Sequence, residues 1–215
     1  LAGGLMAAAV ANGQRVICVS ATAGEHGTDD PQAWPPDRLG QIRRWEAAAA
    51  MAVLGVTDHR WLGYTDGTLS GLDPAEPVDR IRAIIAAERP DTILTFGPDG
   101  GGTFHPDHQA VSRWVRAAWH RAGHRGRLLL TASSEDHMRT WAEQYERWQI
   151  FMTDERPVGV PDAELALRLR LADGHLDQKI AALLAMHSQT WSAQAALGGD
   201  TYRAVNDEEC FVLAA

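Results

Sequence analysis

Short apolar runs alternate along this chain with longer helical patterns, and this alternation constrains the fold more than any other feature. The runs RVICVSA (15–21), DTILTF (91–96) and GRLLLTA (126–132) are rich in β-branched and aliphatic residues, which is typical of buried strands. Between them lie an alanine-rich pattern at 38–54 and an amphipathic pattern at 77–88. Strands that alternate with helices predict an α/β fold with a mostly parallel sheet.

The rest of the chain fits the same scheme. Residues 1–11 predict a helix that ends at Asn12-Gly13, and a further helix is expected from Pro106 onward. The stretch 164–189 holds a long helix, with a strand expected before it, and WQIFMT (148–153) is interpreted as a strand. Because no internal repeat or linker marks a boundary, we expect one domain over residues 1–215.

Composition restricts the partners and the compartment. The formal net charge is −8 and no block of Lys or Arg occurs, which disfavours nucleic acid as a partner. The sequence contains no run of 18 apolar residues, which is about the length that a membrane-spanning helix needs. Cys18 and Cys210 each lie in an apolar run, as free thiols of an intracellular protein do. We therefore expect a cytoplasmic protein with no nucleic-acid or membrane partner, and a homo-oligomer stays open.

The stretch GGGTFHPDHQAV (100–111) gathers imidazoles and a carboxylate at one corner. Pro106 suits the first position of a helix, which makes His105 the N-cap and puts His108 on the same helix face. The preceding strand delivers both at its carboxyl end, where α/β sheets bind ligands, and Asp107 could orient a ring. The pattern favours a functional corner over a capped helix with surface histidines. Two histidines are nevertheless too few for a catalytic zinc, which takes about three protein ligands.

Four other places hold residues that could carry chemistry. TAGEHGTDD (22–30) follows the first strand and offers Glu25 and His26, although a solvated acidic loop is the alternative. Arg43 stands three residues before a glutamate on a helix, where a surface ion pair is the default. Asp66 in GYTDG could face a substrate or simply form a turn, and His187 could cap a helix. Signals for serine hydrolysis and nucleotide binding (GxSxG, Walker and GxGxxG motifs) are absent from the sequence.

Several of these stretches, taken in order, resemble the LmbE-like (PIG-L) deacetylase family. They are TFGPDGGGTFHPDHQAVSRW (95–114), the RxxE helix that ends in LGV, LGYTDG (62–67) and the late Lys followed by His-Ser-Gln. The resemblance covers most of the chain. It implies a Rossmann-like three-layer fold and a zinc-dependent hydrolase that removes acetyl from an N-acetylglucosamine-type or related small amino-sugar amide.

The resemblance also implies roles for individual residues. His108 matches the metal-binding histidine, and His105 matches the histidine that stabilises the oxyanion or acts as general acid. Asp107 matches the acidic residue beside them. Arg43 and Asp66 fall where the family places polar contacts to the substrate.

One family motif, His-Pro-Asp-Asp-Glu, is absent, and the opening LAGGLMAAAV resembles the helix that normally follows it. We expect that the first residues are missing, and that the other Zn²⁺ ligands and the general base lie upstream of Leu1. The alternative is a non-catalytic carbohydrate- or metabolite-binding protein of the same fold that has lost the metal site. Substrate choice is expected to depend on loops at 22–37 and 131–141.

Overall fold

The computed structural model describes residues 2–151 and 153–215. Helices and strands alternate through these residues, which confirms the predicted α/β class. The helices are α1 (Gly3–Ala11), α2 (Pro36–Val53), α3 (Ala75–Glu88), α4 (Pro106–Arg121), α5 (Glu135–Trp148), α6 (Asp173–Ala185), α7 (His187–Leu197) and α8 (Gly199–Val205). The strands are β1 (Ile17–Ser20), β2 (Asp58–Trp61), β3 (Thr92–Thr95), β4 (Arg127–Ala132), β5 (Leu167–Arg170) and β6 (Glu208–Leu213).

The chain divides into two compact units. The first unit contains residues 2–67 and 169–209, in which β1 and β2 pair in parallel with Ile17 opposite Asp58. The helices of this unit bury a small apolar cluster, which includes Ala50, Leu54 and Ala182. The expectation of one domain stays a prediction.

The second unit contains residues 68–168 and 210–215. Here β3 and β4 pair in parallel, with Thr92 opposite Arg127. β6 adds antiparallel to β4, and the sheet order is β3-β4-β6-β5. The parallel β3–β4 pair brings the carboxyl ends of two strands to one edge, and the functional turn described below leaves from that edge.

Local signals set most of the element ends. α2 ends before Gly55, which adopts φ +75°, a conformation that glycine takes at little cost. α4 begins at Pro106 with His105 as its N-cap, as predicted. α3 ends one residue before the left-handed Arg89, which is followed by a proline.

Two predictions in the second unit are wrong. Residues 149–151 do not form a strand, because α5 runs to Trp148 and ends at a left-handed Gln149, while Met152 lies outside the described residues. The predicted loop at 131–141 is mostly helix, since the Ser134 hydroxyl caps α5 by accepting the His137 N–H at 3.1 Å. An amphipathic helix and a short apolar strand are hard to separate by periodicity where they adjoin.

Both cysteines are free thiols, as expected. Burial raises the pKa of the Cys18 thiol, and a hydrogen bond with Ser20 only partly opposes this. Of the helices in the described ranges, none combines the length and the apolar character needed to cross a bilayer.

Candidate active site

A glycine-rich turn joins β3 to α4 and shapes the histidine corner. Gly100, Gly101 and Gly102 all have positive φ, at 69°, 74° and 84°. A Cβ on Gly100 would lie only 3.2 Å from both the His105 carbonyl oxygen and His108 Cβ. The three glycines are therefore required by backbone conformation and, at Gly100, by close packing against the two histidines.

His105 is oriented by the start of α4. Its Nδ1 accepts the backbone N–H of Asp107 at 3.1 Å. A neutral imidazole that accepts at Nδ1 carries its hydrogen on Nε2. The neutral His105 ring can therefore donate a hydrogen bond from Nε2.

His108 is held in the opposite way. Its Nδ1 lies 3.1 Å from the carbonyl oxygen of Gly100, which can only accept, and 3.3 Å from Thr103 Oγ1. The hydrogen therefore sits on Nδ1 and the lone pair sits on Nε2, as a metal ligand requires. The ring stacks on Phe96 with centroids 4.1 Å apart, and the His105 ring centroid is 4.8 Å away. The structure thus brings the two predicted histidines together with complementary nitrogens.

Asp107 is buried beneath this corner, with 4% of its surface exposed. Its Oδ1 accepts the backbone N–H of Leu69 at 3.0 Å. The carboxylate therefore ties the chain at Leu69 to the first turn of α4. A catalytic role for Asp107 stays a prediction.

The donor set fits zinc only in part. In the described ranges 2–151 and 153–215, no group of three or more His, Cys, Asp or Glu side chains is placed to hold a metal ion. His108 supplies one oriented donor, whereas a catalytic zinc takes about three protein ligands. The residues described here do not form a complete metal site, and we assign no reaction step to a metal.

Arg43 lies in the first unit and is buried, with 8% exposure. Its guanidinium donates to the carbonyl oxygen of Gly24, to that of Gly27 at 2.6 Å, and to Ser188 Oγ at 3.4 Å. Burial lowers the pKa of Arg43, but nearby carboxylates, led by Asp66, oppose the change and an arginine stays charged. Arg43 thus fixes the loop after β1.

Asp66 closes the same loop from the other side. Its carboxylate accepts the Thr22 hydroxyl and the His26 backbone N–H, both at 3.2 Å. Its own backbone N–H donates to Glu25 Oε1 at 2.9 Å. The structure therefore brings Arg43 and Asp66, the two predicted substrate contacts, to one loop.

Two residues of this group escaped assignment from sequence. Glu25 was one of several acidic candidates, and its Oε2 is buried without a hydrogen-bond partner among the described residues. Ser188 is hydrogen-bonded to Glu46. The Glu46 carboxylate accepts the Ser188 backbone N–H at 2.7 Å and the Ser188 hydroxyl at 2.6 Å. The late His-Ser-Gln match was the only signal for Ser188, and its partners lie more than 140 positions away.

The fold and these groups describe one class of protein. It is an α/β protein with a histidine pair after a parallel strand and with a buried arginine that fixes the loop after β1. A family model described as GlcNAc-PI de-N-acetylase, PIG-L, matches residues 1–119, which is more than half of the 215 residues. The chain belongs to the PIG-L family of deacetylases.

Some relatives at 30% identity or above match most of the chain. One from Saccharomonospora viridis, a 1D-myo-inositol 2-acetamido-2-deoxy-alpha-D-glucopyranoside deacetylase, is 30% identical over 87% of this chain and 79% of its own length. A second deacetylase of that name from Catenulispora acidiphila is 32% identical over 99% of this chain and 83% of its own length.

Solved structures share the fold at lower identity. The conserved protein TT1542 from Thermus thermophilus has a TM-score of 0.64 at 24% identity, covering 100% of this chain and 88% of its own. N,N'-diacetylchitobiose deacetylase from Pyrococcus horikoshii has a TM-score of 0.62 at 17% identity, and the match covers 99% of this chain and 77% of that one. A 4-carboxy-2-hydroxymuconate hydratase from Pseudomonas putida has a TM-score of 0.66 at 18% identity, and the match covers 100% of this chain and 90% of that one. Because a hydratase shares the fold, the fold alone does not decide the reaction.

Proposed function

We propose that this protein hydrolyses the acetyl amide of an N-acetylglucosamine-type or related small amino sugar. The names of the two relatives above make the N-acetylglucosaminyl inositol compound the first substrate to test. The observation that carries the proposal is the orientation of His105, whose Nδ1 is occupied by the Asp107 N–H and whose Nε2 is therefore the donor.

The reaction adds water to the acyl carbon and then breaks the C–N bond. A negative charge develops on the carbonyl oxygen in the first step, and a donated N–H stabilises it. His105 Nε2–H supplies this hydrogen bond and keeps its proton. The proton that the attacking water loses passes to the leaving amine nitrogen as the C–N bond breaks. The products are a carboxylic acid and the free amino sugar.

His108 and the loop of Arg43 complete the proposal. The Nε2 lone pair of His108 is one ligand for the zinc ion that the family resemblance implies, with the remaining ligands outside the described residues. Asp66 offers carboxylate oxygens to sugar hydroxyls. Arg43 contacts the substrate and, through Gly24 and Gly27, also keeps the loop in place.

The substitution His105→Asn tests the role of His105 without removing the helix cap, because asparagine is a good N-cap residue. We expect turnover of the N-acetylglucosaminyl inositol compound, measured as released amine, to fall about 10²- to 10³-fold, as for loss of one oxyanion donor. His124→Asn is the matched control: His124 is exposed, and asparagine tolerates its φ of +56°. Unchanged turnover in His105→Asn would remove His105 from the mechanism.

One observation favours a second candidate, the non-catalytic binding protein. The described residues lack a group of three metal donors. That candidate predicts that the protein, expressed together with any residues encoded before Leu1, binds the amino sugar in calorimetry but releases no amine, whatever metal is added. Release of amine at a rate that depends on His105 excludes it.

A further inference from the structure

A cleft of about 340 Å³ lies beside the histidine turn, within the second unit, and the proposed mechanism does not use it. Its walls are largely apolar and include Phe104, Pro157, Val158 and Val212. Phe104 directly precedes His105 in the chain. A Cβ on Gly102 would lie 3.9 Å from Pro157 Cγ, so the far wall also faces the turn that carries His105.

The far wall, which is residues 156–160, is held in place by backbone contacts. Val160 donates its N–H to the Ser133 carbonyl at 2.8 Å, and its carbonyl accepts the Glu135 N–H at 3.1 Å. Gly159 has φ +91°, and a Cβ there would lie 2.7 Å from Glu135 N. Only glycine fits this close approach, which holds Gly159 and Val160 against the start of α5.

The charged groups of the lining already have partners. Arg156 pairs with Glu146 and donates to the Thr153 carbonyl oxygen at 2.8 Å. Asp99 Oδ1 accepts the Gly101 N–H at 3.0 Å. The Arg156 charge is thus compensated and the remaining carboxylate repels anions, so an uncharged apolar group fits the cleft best.

Phe104 also points to a functional wall. It has φ +57°, a left-handed conformation that is uncommon for a bulky non-glycine residue. Such strain is retained where the surrounding structure holds it, often at a site of function. Here it sets an aromatic side chain in the cleft wall one residue before His105.

We propose that the cleft is an acyl subsite, which binds an aliphatic N-acyl group longer than acetyl. The inference rests on the proposed function, because it takes His105 as the group that contacts the acyl carbonyl. The acyl chain is attached to that carbonyl carbon, and an aliphatic chain suits walls that are largely apolar and whose charged groups are already paired. An acetyl methyl group is about the size of a water molecule, ~30 Å³. It would leave most of the 340 Å³ empty.

The test is direct binding, which needs no turnover. N-acetyl-, N-butyryl- and N-hexanoyl-glucosamine are titrated against the wild-type chain by calorimetry. Each additional methylene buried in the cleft should tighten binding roughly fourfold. An affinity that does not change with acyl length overturns the proposal.

Matched variants locate the effect. Val158 is 80% exposed at the cleft, so Val158→Asp should leave the fold intact. We expect Val158→Asp to weaken the binding of N-hexanoyl-glucosamine at least tenfold and to leave the binding of N-acetyl-glucosamine unchanged. Leu184→Asp, at a 47% exposed apolar residue of α6 in the first unit, is the control and should change neither. Equal losses for Val158→Asp and Leu184→Asp contradict the assignment.

Two further outcomes separate this inference from the proposed function. Chain-length-dependent binding without release of any acid means that the subsite stands and the deacylation proposal fails. Deacetylation without chain-length dependence means the reverse. If hexyl N-acetylglucosaminide gains affinity and N-hexanoyl-glucosamine does not, the cleft binds the aglycone and the acyl assignment is wrong.

Discussion

At the residue scale, two histidines three positions apart are given different chemistry by backbone groups. The Asp107 N–H occupies Nδ1 of His105, and the Gly100 carbonyl occupies Nδ1 of His108. One ring therefore presents a donor and the other presents a lone pair. The sequence predicted the N-cap and the shared face, but the tautomers depend on how the glycine turn folds back onto the helix.

Asp107→Ala should lower the free energy of unfolding by about 1–3 kcal/mol, because it leaves the Leu69 N–H without its carboxylate acceptor. Urea denaturation followed by circular dichroism measures the change. Glu143→Ala, at an exposed helical position, is the control and should stay within about 0.5 kcal/mol of wild type. A wild-type midpoint in Asp107→Ala would show that this bond contributes little.

At the element scale, the start of α1 is fixed by a residue near the other end of the chain. Glu209 accepts the backbone N–H groups of Gly4 and Leu5, each at 2.8 Å, through its two carboxylate oxygens. Lys179 Nζ lies 3.1 Å from the same carboxylate, and both side chains are almost fully buried. A carboxylate at a helix N-terminus is also favoured by the helix dipole.

Glu209→Gln should cost about 3–5 kcal/mol of unfolding free energy, because it leaves the Lys179 charge buried without its partner. Urea denaturation at pH 7 is the measurement. The double variant Glu209→Gln with Lys179→Met removes both charges and should recover part of the loss. Stability equal to wild type in the single variant would mean that the pair is not closed in solution.

The β1–β2 pair carries a pH-dependent contact. His59 Nε2 lies 2.9 Å from Ser20 Oγ, and burial, with the nearby Arg44 charge, lowers the pKa of His59 below its ordinary 6.5. The native ring then binds a proton less readily than the unfolded chain, so protonation favours unfolding. This contribution to stability is complete above pH 6.5 and is lost as the pH falls toward the lowered native pKa.

The measurement for His59 compares urea midpoints at pH 7.5 and pH 5.5 in wild type and in His59→Gln. We expect wild type to lose more stability between the two values than the variant, which has no titrating group there. The same pH dependence in both proteins would assign the effect to other histidines.

Element types were predictable where a pattern stood alone. The runs around β1, β3 and β4 gave strands, and Pro106 gave the start of α4, because these signals act over a few residues. Residues 148–153 failed, since an apolar run at the end of a helix carries no periodicity of its own. The start of α5 was missed because the polar stretch after β4 reads as a loop until Ser134 is seen to cap it.

At the scale of the whole molecule, the metal donors decide how the chain should behave with zinc. The described residues offer one oriented imidazole and no complete site. We therefore expect the 215-residue chain to retain well under one zinc per molecule after gel filtration, measured by atomic emission. His108→Ala should lower even this amount. One full equivalent in both proteins would mean that other side chains bind the metal.

By itself the sequence determined the α/β class, the family and the histidine corner. Apolar periodicity, a proline at a helix start and a glycine run act over a few residues and can be read directly. Only the tertiary structure decided the partners of Arg43, which include Ser188, 145 positions away. It also decided that Glu25 accepts the Asp66 N–H, and that a cleft lies beside the histidine turn. These features depend on contacts between residues far apart in the chain, and no local pattern specifies which distant groups will meet.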